Sequence, residues 1–146
     1  MNQKITESLY RLDLDRRRKF QPFFNALGLT PGQPRILHCL LERGVALTQR
    51  ELADSCRLEA ATLSRALDRL EESGLVCRAP HGSSRRANLI SLTPEGEMQA
   101  QKVAEGFRRM EAALRDGFSS AELETVDTVL EKLRANLEKL EDLEQM

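Results

Sequence analysis

With 146 residues, 40% hydrophobic and 31% charged, the chain can bury one well-packed core or two small lobes, and it lacks the composition of a disordered or fibrous protein. Five Phe, one Tyr and no Trp favour helices over a β-sandwich. No apolar run approaches the roughly 20 residues that span a bilayer and the N-terminus has no apolar signal core, so a cytoplasmic protein without a membrane partner is expected.

The net charge of −1 is unevenly spread: residues 1–47 carry +4, residues 48–93 carry +1 and residues 94–146 carry −6. From Ser73 to Thr93 there are three arginines, Arg78, Arg85 and Arg86, and no acid. A local basic spot of this kind says more about partners than the overall charge does.

The first predicted helix covers about Ile5 to Leu27, with Ile5, Leu9 and Leu12 on one face, a later cluster of Phe20, Phe23 and Phe24, and Pro22 as a point of kinking or splitting. The run Arg16–Lys19 reads as a solvated face beside Asp13 and Asp15 rather than a nucleic-acid patch. In GLTPGQPRILHCLLERG, Thr30 is an N-cap candidate, Pro31 stands at the first helical position, Gln33 completes a capping box, and Gly44 is a stop signal. A second capping box, Thr48 with Glu51, opens a short helix whose inner face is Leu52, Ala53 and Cys56.

After a tight turn comes TLSRALDRLEESGL. Leu63, Leu67 and Leu70 fall on one side of the helix. The outer side is uneven: its first half offers Ala61, Thr62, Ser64 and Arg65, and its second half adds Asp68, Glu71 and Glu72, which phosphates repel. This gradient suits a helix that points its N-terminal half at DNA, where the helix dipole also helps. Gly74 ends it, and two β-like runs follow around HGSSRRA, a hairpin with a basic tip. A helix–turn–helix followed by such a hairpin is the layout of a winged helix.

Thr93-Pro94 starts a further helix, and Ser119 with Glu122 forms a third capping box. Leu123, Val126, Leu130, Leu133, Leu137 and Leu140 then recur at alternating steps of three and four, a heptad stripe that reads as a helical pairing surface. The expected fold is therefore mainly α: a winged helix-turn-helix over residues 31–93 with a small β-hairpin wing, and a helical dimerisation region made of residues 1–30 and 94–146.

The segments LGLTPGQPRIL, LTQRELA, TLSRALDRLEESGLVCR and SRRANLISLTPEG, in this order and spacing, resemble MarR-type transcriptional regulators, most strongly between Leu27 and Gly96. The resemblance implies a homodimer with interlocked terminal helices. It implies binding to a pseudo-palindromic double-stranded operator, usually to repress, and release by a small aromatic or anionic effector. It matches Ala60, Ala61, Thr62, Ser64 and Arg65 to positions that face the major groove, with Arg69 further along the same helix. It places Thr48, Gln49 and Arg50 near the DNA backbone, and Arg85 and Arg86 on the wing. Three departures stand out. The wing triplet reads Ser84-Arg85-Arg86 where the family carries an acid before the arginines. Arg57 occupies a turn position where glycine is common, and Glu59 stands where Ser or Asp usually caps the recognition helix.

Tyr10, Phe23, Phe24 and His38 are the effector-site candidates, as groups able to stack on a ring or hydrogen-bond to it. Four rival readings are weaker. A cysteine-based redox response would have to use Cys56 and Cys77, expected to be buried beside the recognition helix, because no cysteine precedes Cys39. No cofactor or metal is expected: the two histidines, His38 and His81, do not form a ligand pair, and no C-x-x-C is present. No nucleophile elbow, phosphate loop or zinc-hydrolase motif suggests an enzyme. A helical partner-binding dimer that ignores DNA would leave Arg85 and Arg86 unexplained.

Overall fold

The structure is a computed structural model, which describes residues 4–81 and 84–140, with only the backbone for residues 81 and 84–87. The chain divides into two compact units, Met1–Arg109 and Met110–Met146. Helix α1 (Ile5–Ala26) runs through Pro22 without ending. A proline there removes its own amide bond, and the remaining ladder carries the helix on. Asp13 pairs with Arg16 at 2.7 Å and Arg17 at 2.8 Å, the solvated arrangement expected for the basic run.

Helix α2 (Gln33–Arg43) starts later than expected. Thr30 does receive the Gln33 side chain, its N–H donating to Oε1 at 2.9 Å, but the helix begins from Gly32 at φ 90 and no side chain caps it. Pro31-Gly32 instead makes a turn, which glycine permits. Gly44 closes α2 in the left-handed region at φ 65.

Helix α3 (Gln49–Cys56) has both halves of the Thr48–Glu51 capping box. Helix α4 (Ala60–Glu72) follows, then strands β2 (Val76–His81) and β3 (Ser84–Leu92). The sequence pattern had not suggested β1 (Leu47–Thr48), which pairs antiparallel with β3, Leu47 opposite Ile90, giving the sheet order β1-β3-β2. Two residues hold too little periodicity to be recognised, and they are extended because β3 offers them a ladder.

Helix α5 (Pro94–Arg115) is seated by Thr93, whose hydroxyl donates to the Gly74 carbonyl at 2.6 Å and accepts from the Gly96 N–H at 3.0 Å. The core beneath these elements gathers Leu29, Ile36, Leu37, Leu47, Leu52, Leu63, Leu67, Leu70, Val76, Ile90, Ala100 and Val103. Each fully buried leucine contributes about 1.5–3 kcal/mol. In the second unit, α6 (Ser120–Lys139) opens with the Ser119–Glu122 capping box. Of its heptad stripe, Leu123 and Leu133 are half-buried while Val126, Leu130, Leu137 and Leu140 are exposed. No described helix is long and apolar enough to cross a membrane.

Candidate nucleic-acid interface

The short helix and the helix after it are joined by Arg57, Leu58 and Glu59. Arg57 takes a left-handed conformation at φ 54, the one non-glycine residue to do so among those described. That explains why a glycine suits this turn: a Cβ costs about 1–2 kcal/mol there. The turn is held from the side by Arg35, whose Nε donates to the Cys56 carbonyl at 2.8 Å. Cys56 ends α3, so this bond satisfies a helix-terminal acceptor.

Helix α4 buries Leu63, Ala66, Leu67 and Leu70. Its other side leaves Ala60, Ala61, Arg65 and Arg69 exposed and Thr62 and Ser64 half-exposed. Glu59 is the N-cap residue but makes no side-chain capping bond, so the first-turn amides of α4 have no cap from it. From Ala60 to Leu67 the helix carries no carboxylate. Small side chains, two hydroxyls, one guanidinium and open N–H groups together form a surface that admits a nucleic-acid backbone or base edge closely.

Two of the three acids of the second half, Asp68 and Glu71, are paired. Arg78, on β2, places Nη1 2.9 Å from Asp68 Oδ1 and 3.6 Å from Glu71 Oε1. Its side chain is only 20% exposed, and its Nε is enclosed without a protein partner. Arg78 therefore does not belong with Arg85 and Arg86 as a loose basic spot; it ties the wing to α4. Strand pairing reaches His81 opposite Ser84, so Arg85 and Arg86 lie on β3 rather than in the hairpin loop. Their side chains lie outside the described residues.

The residues placed near a DNA backbone stand at the start of α3. Gln49 is half-buried and Arg50 exposed. The Thr48 hydroxyl is engaged in its cap, accepting from the Glu51 N–H at 3.1 Å and donating to Glu51 Oε1 at 2.9 Å.

A cavity of about 370 Å³ opens beside α2, lined by Arg16, Arg35, His38, Cys39, Glu42, Ser55 and Phe107. Of the four effector-site candidates, His38 is in this lining. Its ring meets Phe107 edge-on at 4.9 Å, its Nε2 is 3.1 Å from Glu42 Oε1, and its Nδ1 is enclosed without a protein partner. Phe23 and Phe24 are neighbours of the lining rather than part of it: Phe24 is buried and packs on Phe23 at 5.4 Å and on Phe107 at 5.5 Å. Tyr10 is 64% exposed on α1 and absent from the lining. Arg35, Phe107 and Cys39 were not foreseen, because they converge from α2 and α5 and share no local motif. Among the described residues no three metal-ligating side chains come together. Cys56 is buried, but Cys77 is exposed with its sulfur 3.1 Å from Ser91 Oγ, so the two do not share the buried setting expected of them.

A profile of the MarR family matches residues 27–87, the stretch from the loop before α2 into β3. A transcriptional regulator of known crystal structure is 30% identical, with 94% of this chain and 100% of that one covered at a TM-score of 0.81. NadR, solved in complex with 4-hydroxyphenylacetate, is 27% identical over 96% of each chain at a TM-score of 0.72. The S. aureus MepR–DNA complex shares the fold at a TM-score of 0.85, with 22% identity over 92% of this chain and 99% of that one.

Proposed function

The chain belongs to the MarR family of DNA-binding transcriptional regulators, and from that premise we propose that it is a sequence-specific repressor acting as a homodimer on a pseudo-palindromic operator. The observation that carries this reading is α4: a leucine spine buried behind it, and in front a first half free of carboxylates, with Ala60, Ala61, Thr62, Ser64 and Arg65 presented together. In this reading Arg65 reads a base edge or holds a phosphate, Arg69 with Gln49 and Arg50 contacts phosphates, and Arg85 and Arg86 enter the minor groove. Thr48 contributes through its cap, which orients the first turn of α3. Two copies of α4 would occupy successive major grooves roughly 34–36 Å apart. The exposed stripe of α6 and the exposed Ile5, Leu9 and Leu12 of α1 supply apolar surface for the pairing, within the region 1–30 and 94–146.

Release by a small aromatic or anionic effector completes the reading. The support is the cavity: Phe107 and the His38 ring offer a face to stack on, and Arg35 offers a cation. That NadR is solved with 4-hydroxyphenylacetate is consistent with this chemistry. An effector that prefers a misaligned dimer by about 3 kcal/mol lowers DNA affinity by at most roughly 100-fold.

The deciding experiment is an electrophoretic shift on the chain's own upstream intergenic DNA, titrated in salt. A discrete complex that survives excess unrelated DNA is the expected result. Weak binding to any DNA, erased by salt, would remove the operator reading and leave a helical partner-binding dimer.

A further inference from the structure

The lining of the cavity beside α2 falls into two groups. His38 and Phe107, their rings 4.9 Å apart, are the aromatic one. The other is the last turn of α3, where two arginines of α2 arrive. Arg43 Nη1 donates to the Ser55 hydroxyl at 3.2 Å, and Arg35 Nε donates to the Cys56 carbonyl at 2.8 Å. Arg35 and Ser55 line the cavity themselves; Arg43 reaches it through Ser55. The charges around the cavity are unevenly compensated. Arg16 has Asp13 at 2.7 Å, and His38 has Glu42 at 3.1 Å. Arg35 and Arg43 have no carboxylate partner among the described residues; each spends one N–H on the end of α3. Cations suit a helix C-terminus, which accounts for those two bonds. A guanidinium carries five N–H donors, so most of both forks is left over.

We propose that the cavity takes an aromatic phosphomonoester, its ring against His38 and Phe107 and its phosphate held by Arg35, Arg43 and the Ser55 hydroxyl. The inference rests on the effector reading above and names the ligand class of that site. A carboxylate carries one charge and satisfies a single fork. A phosphomonoester carries close to two charges at neutral pH and offers three acceptor oxygens, which matches two uncompensated guanidiniums and a hydroxyl. Arginine suits this task because its planar, weakly hydrated fork meets phosphate geometry directly. The cavity volume of about 370 Å³ stands at the small end of ligand pockets, which fits a single ring. Glu42 is the one carboxylate in the lining, and its Oε1 is engaged at His38 Nε2.

The phosphate would sit against the helix–turn–helix. The Cys56 carbonyl that Arg35 holds is followed at once by left-handed Arg57, and α4 begins at Ala60. A phosphate that draws Arg35 off this carbonyl loosens the turn that sets α4, which links occupancy of the cavity to release of DNA.

The test is calorimetric titration of the full chain with phenyl phosphate, 4-hydroxyphenylacetate and inorganic phosphate, at about pH 7.5, where the phosphomonoester is dianionic. Phenyl phosphate should bind about tenfold more tightly than either of the others. Arg43→Gln should cost phenyl phosphate about tenfold and 4-hydroxyphenylacetate much less, and Arg35→Gln should weaken both. Ser55→Ala, at an exposed position, should shift affinity the same way as Arg43→Gln by a smaller factor, and it decides the matter if an arginine variant does not fold. Equal or tighter binding of 4-hydroxyphenylacetate, indifference of phenyl phosphate to these changes, or no binding of any probe would overturn the proposal. A shift assay on upstream DNA runs in parallel. Phenyl phosphate that binds as expected yet leaves the DNA complex intact would overturn the link to α4 alone. A chain that binds phenyl phosphate but no DNA would defeat the proposed function and leave the ligand class standing.

Discussion

Arg78 Nη1 lies 2.9 Å from Asp68 Oδ1, so a strand of the wing grips the middle of α4. The same guanidinium reaches Glu71 at 3.6 Å, and one cation thereby screens two of the carboxylates on α4. Asp68 is more than half exposed, so the pair itself contributes modestly. A double-mutant cycle of Arg78→Ala with Asp68→Asn should give a coupling of about 0.5–1 kcal/mol in thermal unfolding. Arg78→Ala should also weaken DNA binding severalfold, because two acids are unmasked. Strict additivity together with unchanged DNA affinity would show the contact to be incidental.

The turn before α4 holds two residues that local energetics disfavour. Arg57→Gly relieves the left-handed strain at φ 54 and should stabilise the protein by about 1 kcal/mol, after allowing for the greater freedom of glycine in the unfolded chain. Glu59→Ser supplies the missing cap, expected to add about 0.5–1 kcal/mol. It also removes an acid from the N-terminus of α4 and should tighten DNA binding. Melting temperatures of the two single variants and the double variant, with a parallel shift assay, check this. A fall in melting temperature for Arg57→Gly would mean that its side chain makes contacts worth more than the strain.

Replacing Arg85 and Arg86 together by Ala should lower DNA affinity and reduce the slope of log affinity against log salt by about 2. Fold stability should hardly change. An unaltered slope would argue for the partner-binding dimer.

Cys56 makes stability depend on alkaline pH. Its thiol is pushed from 9.0 to about 12 in the folded state, mainly by burial. Above about 9 the unfolded chain has lost this proton while the folded chain keeps it, so the folded state loses stability as pH rises from about 9 towards about 12; below that window the group contributes no slope. Denaturant midpoints measured across this range should fall more steeply for the native chain than for Cys56→Ala. Parallel curves would place Cys56 in a more polar setting than the packing shows.

Gly96 sits so close to the Leu75 carbonyl that any Cβ collides with backbone. Gly96→Ala should therefore cost about 2–3 kcal/mol despite the better helix propensity of alanine. At Gly106 the obstacle is the Phe23 ring, a side chain that can turn aside, so Gly106→Ala should be milder. Equal effects at the two positions in urea unfolding would contradict this distinction.

What could be read from the sequence was what neighbours within three or four residues decide. Thr48 with Glu51 and Ser119 with Glu122 close capping boxes as their spacing implies, and Leu63, Leu67 and Leu70 turn inward together. Gly44 and Gly74 adopt positive φ where the helices stop. Thr30 misled because Pro31-Gly32 forms a turn before the helix can start. The exposed front of α4 was legible for the same local reason: the helical period alone sorts its residues by side.

The tertiary structure decided everything that joins distant segments. β1 exists because β3 lies beside it, and Arg78 is an ion-pair partner of α4 because the wing folds back across ten residues of chain. The cavity of His38, Arg35 and Phe107, the exposure of Cys77, and the contact of the Cys56 sulfur with the Arg35 carbonyl depend on helices whose approach is set by the shape of the whole core. Composition and periodicity determine which face of each element is apolar; which faces meet, and which polar groups are thereby brought within bonding distance, is determined only when the core closes, because that free energy belongs to the packed assembly and not to any one segment.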